Sequence, residues 1–128
     1  MTGGGTGGHV FPALAIARIL SQRGHDLRFI GTSTGMEARL VPEAGYPIDF
    51  IRIGGFNRVG LSKQIRTSYE MPLAVLAASR MLRRYRPQAV FSMGGFVSGP
   101  VVVAALLHRN ALVVVEADAV PGITSRKI

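Results

Sequence analysis

The sequence predicts an α/β fold, in which helices flank a parallel sheet, and three observations predict it. Short apolar runs typical of buried strands alternate with longer helical segments along the chain. Two glycine-rich loops each open a helical segment, and strands that alternate with helices are joined by right-handed crossovers into parallel sheets. The chain has 128 residues, of which 48% are hydrophobic. This length is enough for one domain with a core. The high hydrophobic fraction excludes a disordered chain.

The first glycine loop covers residues 3–9 and reads Gly-Gly-Gly-Thr-Gly-Gly-His. Glycine at this density costs backbone entropy and is usually found where a tight turn brings N–H groups close to a ligand, often a phosphate. A helix is predicted to follow and to end near Gly24, and its N-terminus adds the positive end of the macrodipole. The spacing is neither G-x-G-x-x-G nor a P-loop. A disordered tail is the alternative, but Thr6 and His9 favour a binding site.

The remaining elements follow from periodicity and from the helix breakers. The predicted strands cover residues 26–30, 48–53, 89–93 and 111–116. The predicted helices cover residues 34–41, 61–66, 71–84 and 100–107. Pro42 ends the first of these helices, and a capping box at residues 67–70 separates the second from the third.

A second glycine loop, residues 93–100, stands between a predicted buried strand and an apolar helix. In parallel α/β sheets, ligands bind beyond the carboxyl ends of the strands. Both glycine loops and residues 116–118 fall at such ends. We therefore expect them to converge.

A strand is expected before the first loop, yet only Met1 and Thr2 precede it. The chain also stops at Ile128 without a closing element. From the sequence we expect a truncated domain. The missing first strand would lie in the middle of a doubly wound sheet, between residues 26–30 and 89–93.

The net charge is +8, from 15 Lys and Arg against 7 Asp and Glu, and residues 52–86 carry a dense cluster of bases. Such a region attracts polyanions. A basic amphipathic helix suits an anionic membrane surface, and the alternative is that its apolar side belongs to the core. The membrane-facing residues predicted on this helix are Arg66, Tyr69, Val75 and Arg80.

Composition also narrows the classes of partner and site. Few aromatic residues accompany the bases and there is no Trp, so we predict no nucleic-acid partner. The absence of cysteine excludes disulfides and thiolate metal sites, and the three scattered histidines predict no metal site. No apolar run reaches the roughly 18 residues of a spanning helix.

Three motifs together resemble a known family. They are residues 4–12, then Gly31 and Thr32 with Met36 and Glu37 and residues 40–42, then residues 93–100. In this order they resemble glycosyltransferase family 28, peripheral membrane N-acetylglucosaminyltransferases that make lipid II. The resemblance covers nearly all of the chain. It implies that residues 1–128 are part of the N-terminal, acceptor-side domain, one of two Rossmann-like domains in a GT-B arrangement.

The resemblance implies an activity. Such an enzyme transfers GlcNAc from UDP-GlcNAc to the 4-hydroxyl of MurNAc on undecaprenyl-pyrophosphoryl-MurNAc-pentapeptide (lipid I), with inversion at the anomeric carbon and without a metal or other cofactor. The implied location is the cytoplasmic face of the bacterial inner membrane, as a peripheral protein. Two alternatives stay open: another GT-B transferase with a different lipid-linked acceptor, or a non-catalytic basic nucleotide-binding module.

The resemblance also implies roles for individual residues. Asp118 stands where the family has Asn, which removes two N–H donors and adds a negative charge, and Phe96 stands where the family often has Tyr. Glu116 has an alternative as a strand-end carboxylate paired with an arginine. The implied residues are catalytic His9 and Glu116, donor-binding Thr6, Gly7, Gly8 and Asp118, and acceptor pyrophosphate-binding Gly5, Gly94, Gly95 and Ser98.

Overall fold

The structure, a computed structural model, describes residues 1–53 and 61–115, and of residues 61–69 only the helical backbone. Helices and strands alternate as the sequence predicts. The elements are α1 (Gly7–Gln22), β1 (Phe29–Gly31), α2 (Glu37–Glu43), β2 (Ile48–Phe50), α3 (Leu61–Tyr85), β3 (Ala89–Ser92), α4 (Ser98–Leu107) and β4 (Ala111–Val114). The predicted site residues Glu116 and Asp118 lie outside the described residues.

All paired strands are parallel. Strand β1 pairs with β2, and β3 pairs with β4. Thr2 lies between the two pairs and bridges Ile30 on one side and Ser92 on the other. Its N–H donates to the Phe91 carbonyl at 2.8 Å, and its carbonyl accepts from the Met93 N–H at 2.8 Å. Thr2 therefore holds the central position predicted for the first strand, and β1 and β3 do not pair directly.

A cavity of about 790 Å³ separates β1 from β3 alongside Met1, and we call it the central slot. Apolar side chains from strands and helices line much of it, among them Leu20, Leu82 and Phe91. The Met1 ammonium donates to the Arg28 carbonyl at 2.6 Å, and burial lowers the pKa of this amine to about 6. The centre of the sheet is thus paired at the level of Thr2 and open beside it.

Helices cover both faces of the sheet. Consecutive strand residues point to opposite faces, so neighbouring residues pack against different helices. Ile30 packs in a cluster with α3 and α4, whereas its neighbour Phe29 packs in a second cluster with α1 and α2. This arrangement is the doubly wound form that the alternation of elements predicts.

Helix α3 corrects one prediction. The sequence predicts two helices, 61–66 and 71–84, but α3 runs unbroken from Leu61 to Tyr85 with Pro72 inside it. A proline removes one backbone hydrogen bond, at a cost of about 3 kcal/mol. Ala74, Ala78 and Leu82 lie four residues apart on α3 and are all buried against the core. Their packing offsets the lost bond, so the helix continues.

Candidate active site

The two glycine loops meet at the carboxyl edge of the sheet, as the sequence predicts. A Cβ atom added at Gly95 would lie 2.6 Å from the Gly4 carbonyl oxygen and 3.6 Å from Cγ of His9. Gly95 also has φ +87°, a conformation that side chains disfavour. Only glycine lets the second loop pack this closely on the backbone of the first.

Helix α1 begins within the first loop, at Gly7, earlier than the sequence suggests. Gly7, Gly8 and His9 therefore form its first turn. The His9 N–H donates to the Thr6 carbonyl at 3.2 Å, and the N–H groups of Gly7 and Gly8 precede this first bond of the helix. Thr6 occupies the N-cap position, but its side chain does not cap the helix. Its hydroxyl instead lies 2.9 Å from Nδ1 of His9. This contact constrains the orientation of the imidazole ring.

The second loop is held from within. Ser98 is buried, and its hydroxyl donates to the Gly94 carbonyl at 2.6 Å. Gly94 and Gly95 both have positive φ, so the loop turns sharply before α4 begins at Ser98. Phe96 contacts the first loop, because a Cβ at Gly5 would lie 2.5 Å from Cε1 of its ring.

A buried carboxylate, which sequence reasoning assigned no role, lies beneath the first loop. Glu37, the first residue of α2, is only 1% exposed. Its Oε2 accepts the Gly5 N–H at 2.9 Å, and its Oε1 accepts both the N–H and the hydroxyl of Thr32 at 2.8 Å. The only sequence signal was the place of Glu37 within the second motif.

The structure brings together six of the predicted site residues: Thr6, Gly7, Gly8, His9, Gly94 and Gly95. Two others are nearby, but the Gly5 N–H is donated to Glu37 and the Ser98 hydroxyl to Gly94. No three residues among His, Cys, Asp and Glu in the described ranges are placed to hold a metal ion.

The residues of α3 that were predicted to face the membrane do not all lie on one exposed side of the helix. Val75 packs against the core, whereas Arg80 is exposed. Arg66 and Tyr69 lie in the part of α3 whose side chains are not described. Leu73 and Leu76 are 64% and 48% exposed. No helix within residues 1–53 and 61–115 is both long enough and apolar enough to cross a membrane.

A family model described as the glycosyltransferase family 28 N-terminal domain matches residues 1–128. The chain belongs to glycosyltransferase family 28. Two curated relatives carry the name UDP-N-acetylglucosamine–N-acetylmuramyl-(pentapeptide) pyrophosphoryl-undecaprenol N-acetylglucosamine transferase. The protein of Solibacter usitatus is 52% identical over 128 residues, covering 100% of this chain and 35% of that protein. The protein of Shewanella halifaxensis is 48% identical over 123 residues, covering 96% and 34%.

Two solved structures share the fold of this chain. The crystal structure of Acinetobacter baumannii MurG superposes with a TM-score of 0.86 at 38% identity, covering 99% of this chain and 37% of that one. The glycotransferase of kitacinnamycin superposes with a TM-score of 0.69 at 17% identity, and this likeness concerns the fold alone. The chain thus spans about a third of the length of the relatives it matches, with the α/β fold of a GT-B N-terminal domain.

Proposed function

We propose that this chain is the acceptor-side domain of a transferase that moves GlcNAc from UDP-GlcNAc to lipid I and forms lipid II. The names of the 52% and 48% identical relatives support this reaction. One structural observation carries the proposal. Two glycine loops meet at one sheet edge, each at the start of a helix, with His9 against the second loop.

His9 is proposed as the general base. If Nδ1 carries the ring proton and donates it to the Thr6 hydroxyl, Nε2 has a lone pair for the acceptor hydroxyl. As the acceptor oxygen bonds to the anomeric carbon of GlcNAc, the bond from that carbon to UDP breaks. The hydroxyl proton passes to Nε2, and UDP leaves with the bonding electron pair. One such displacement inverts the anomeric centre. A positioned base contributes roughly 10²–10⁴-fold to such a step.

The proposed phosphate sites are the starts of α1 and α4. Both helices point their positive ends at the meeting point of the loops, where N–H groups and dipole favour anions. We assign donor contacts to Thr6, Gly7 and Gly8 and acceptor pyrophosphate contacts to Gly94 and Gly95. Gly5 and Ser98 belong to the same region, but their bonds to Glu37 and Gly94 make them supports of the loops.

We propose that one face of α3 binds the cytoplasmic leaflet of the membrane, where the lipid acceptor lies. Leu73, Leu76 and Arg80 follow one another at spacings of three and four residues and are exposed, so they share one side of α3. Arg83, three residues after Arg80, is also exposed and lies on the same side of α3. Apolar and basic side chains on one helix face bind anionic lipid surfaces. The proposal therefore moves from Val75, which packs inward, to Leu73 and Leu76.

Transfer activity of a joined protein tests the proposed function. This chain is fused to the residues that follow the matching segment in the Solibacter usitatus relative. Labelled UDP-GlcNAc and lipid I are supplied, and lipid II is measured. We expect turnover from the fusion and none from residues 1–128 alone, because the domain proposed to hold the donor is not in them. A folded fusion that binds UDP-GlcNAc but never glycosylates lipid I would contradict the assignment.

A further inference from the structure

The carboxylate of Glu37 has no part in the proposed chemistry, yet it bonds directly to the first glycine loop of the site. Its two oxygens accept three hydrogen bonds, from the N–H of Gly5 and from the N–H and hydroxyl of Thr32. Gly5 lies in the first loop and Thr32 directly follows β1, so one side chain joins three segments of the chain. Hydrogen bonds to a carboxylate are stronger than those between neutral groups.

Three glycines clear the space that this carboxylate fills. A Cβ at Gly31 would lie 2.5 Å from Cγ of Glu37, and a Cβ at Gly4 or Gly35 would lie closer still to its carboxyl group. Real Cβ atoms do not approach other atoms so closely. The missing side chain of Gly4 therefore makes room for the Glu37 carboxyl group. A glycine in such a loop is usually explained by the close approach of a bound phosphate.

We propose that Glu37 is a positioning residue that sets the first glycine loop and, through it, the orientation of His9. The bond to the Gly5 N–H fixes the Gly4–Gly5 peptide, so it holds Gly5, the residue before Thr6, and Thr6 contacts Nδ1 of His9. The carboxylate also lies beside the start of α1, where a negative charge is favoured. The inference rests on the proposed function only for what His9 does, because the positioning itself follows from the contacts.

Nuclear magnetic resonance on the 128-residue chain tests the positioning without any substrate. Glu37→Gln removes the charge and places an N–H₂ group against N–H donors, and Glu37→Asp keeps the charge but shortens the reach. The matched control is Glu43→Gln on the same helix, an exposed carboxylate 3.7 Å from Arg39. We measure amide hydrogen exchange at Gly5 and the ¹⁵N resonances of the His9 ring.

In both Glu37 variants we expect exchange at Gly5 to rise roughly 10- to 100-fold, the range that corresponds to loss of a charge-assisted bond. The His9 Nδ1 resonance should move, while amides of β3 and α4 stay protected. Glu43→Gln should match the wild type. Unchanged Gly5 exchange and His9 resonances in Glu37→Gln would overturn the proposal.

A milder variant covers the case in which Glu37→Gln does not fold. Thr32→Val removes one donor from Oε1 and keeps the backbone bond. The fold should persist and the Gly5 amide resonance should shift, and no shift would overturn the proposal.

Kinetics of the joined protein test the link to His9. Glu37→Gln should lower kcat at least about tenfold, and it should also raise the KM for UDP-GlcNAc, because the first loop carries the proposed donor contacts. An unchanged kcat would refute the link. If the wild-type fusion folds and binds UDP-GlcNAc but is inactive, the proposed function fails, while the resonance data still decide the role of Glu37.

Discussion

Filling the central slot should stabilise this chain substantially. The Phe91 carbonyl and the Met93 N–H already bond to Thr2. Because alternate residues of a strand point their backbone groups to the same side, the Phe91 N–H and the Ala89 carbonyl also face the central slot. The Arg28 N–H faces the slot from the other side. An extension of about six apolar residues before Met1 would span roughly 20 Å as a strand. It would continue the parallel register that Thr2 begins.

The expected gain follows from the new pairing. Each apolar side chain buried contributes about 1.5–3 kcal/mol, and ordering each residue costs a similar amount. These two terms largely cancel, so the net gain comes from about four new backbone hydrogen bonds at about 1 kcal/mol each. A gain of about 4 kcal/mol raises Tm by roughly 10–20 °C in a domain of this size.

Thermal unfolding followed by circular dichroism measures this gain. The control is an extension of equal length made of Gly and Ser, which also removes the Met1 ammonium but has no apolar side chains with which to fill the slot. The apolar extension should raise Tm well above the control. Equal Tm values for the two extensions would refute the reasoning, because they would show that the slot does not accept a strand.

Three further predictions follow. His9→Ala in the joined protein should lower kcat by roughly 10²–10⁴-fold with donor KM little changed, while exposed His25→Ala should be neutral; an unchanged kcat leaves His9 a structural role. Reversing Arg80 and Arg83 to Glu should weaken sedimentation with phosphatidylglycerol vesicles at least about 30-fold, at about 1 kcal/mol per base; equal wild-type binding to phosphatidylcholine vesicles would contradict an electrostatic surface. The Met1 amine has pKa about 6 when folded against 8.0 ordinarily, so protonation favours unfolding. The free energy of unfolding should fall by about 2 kcal/mol between pH 8 and pH 6, and N-terminal acetylation should abolish this loss.

Local patterns in the sequence determined much of this fold. Apolar periodicity and glycine loops predicted the alternating helices and strands, because each depends on residues a few positions apart. The topology rule for parallel sheets then predicted that both loops meet at one edge, and Gly95 packs on Gly4 as a result. The central position of the first strand followed from the same rule, and Thr2 occupies it.

Tertiary packing decided what local patterns could not. Helix α3 continues through Pro72 because burial of one helix face outweighs the lost hydrogen bond. The same packing sets the rotation of α3, so that Val75 turns inward while Leu73 and Leu76 face outward. Nothing in a run of helical residues states which side will meet the core.

The site shows the same division. The sequence indicated Thr6 and His9 by their place in the loop, but only the structure placed the Thr6 hydroxyl on the His9 ring, away from the helix N–H groups. Glu37 and Gly5 are 32 residues apart in the chain. Their bond exists because β1 and α2 fold the carboxylate beneath the loop, and no local pattern encodes a contact over that separation.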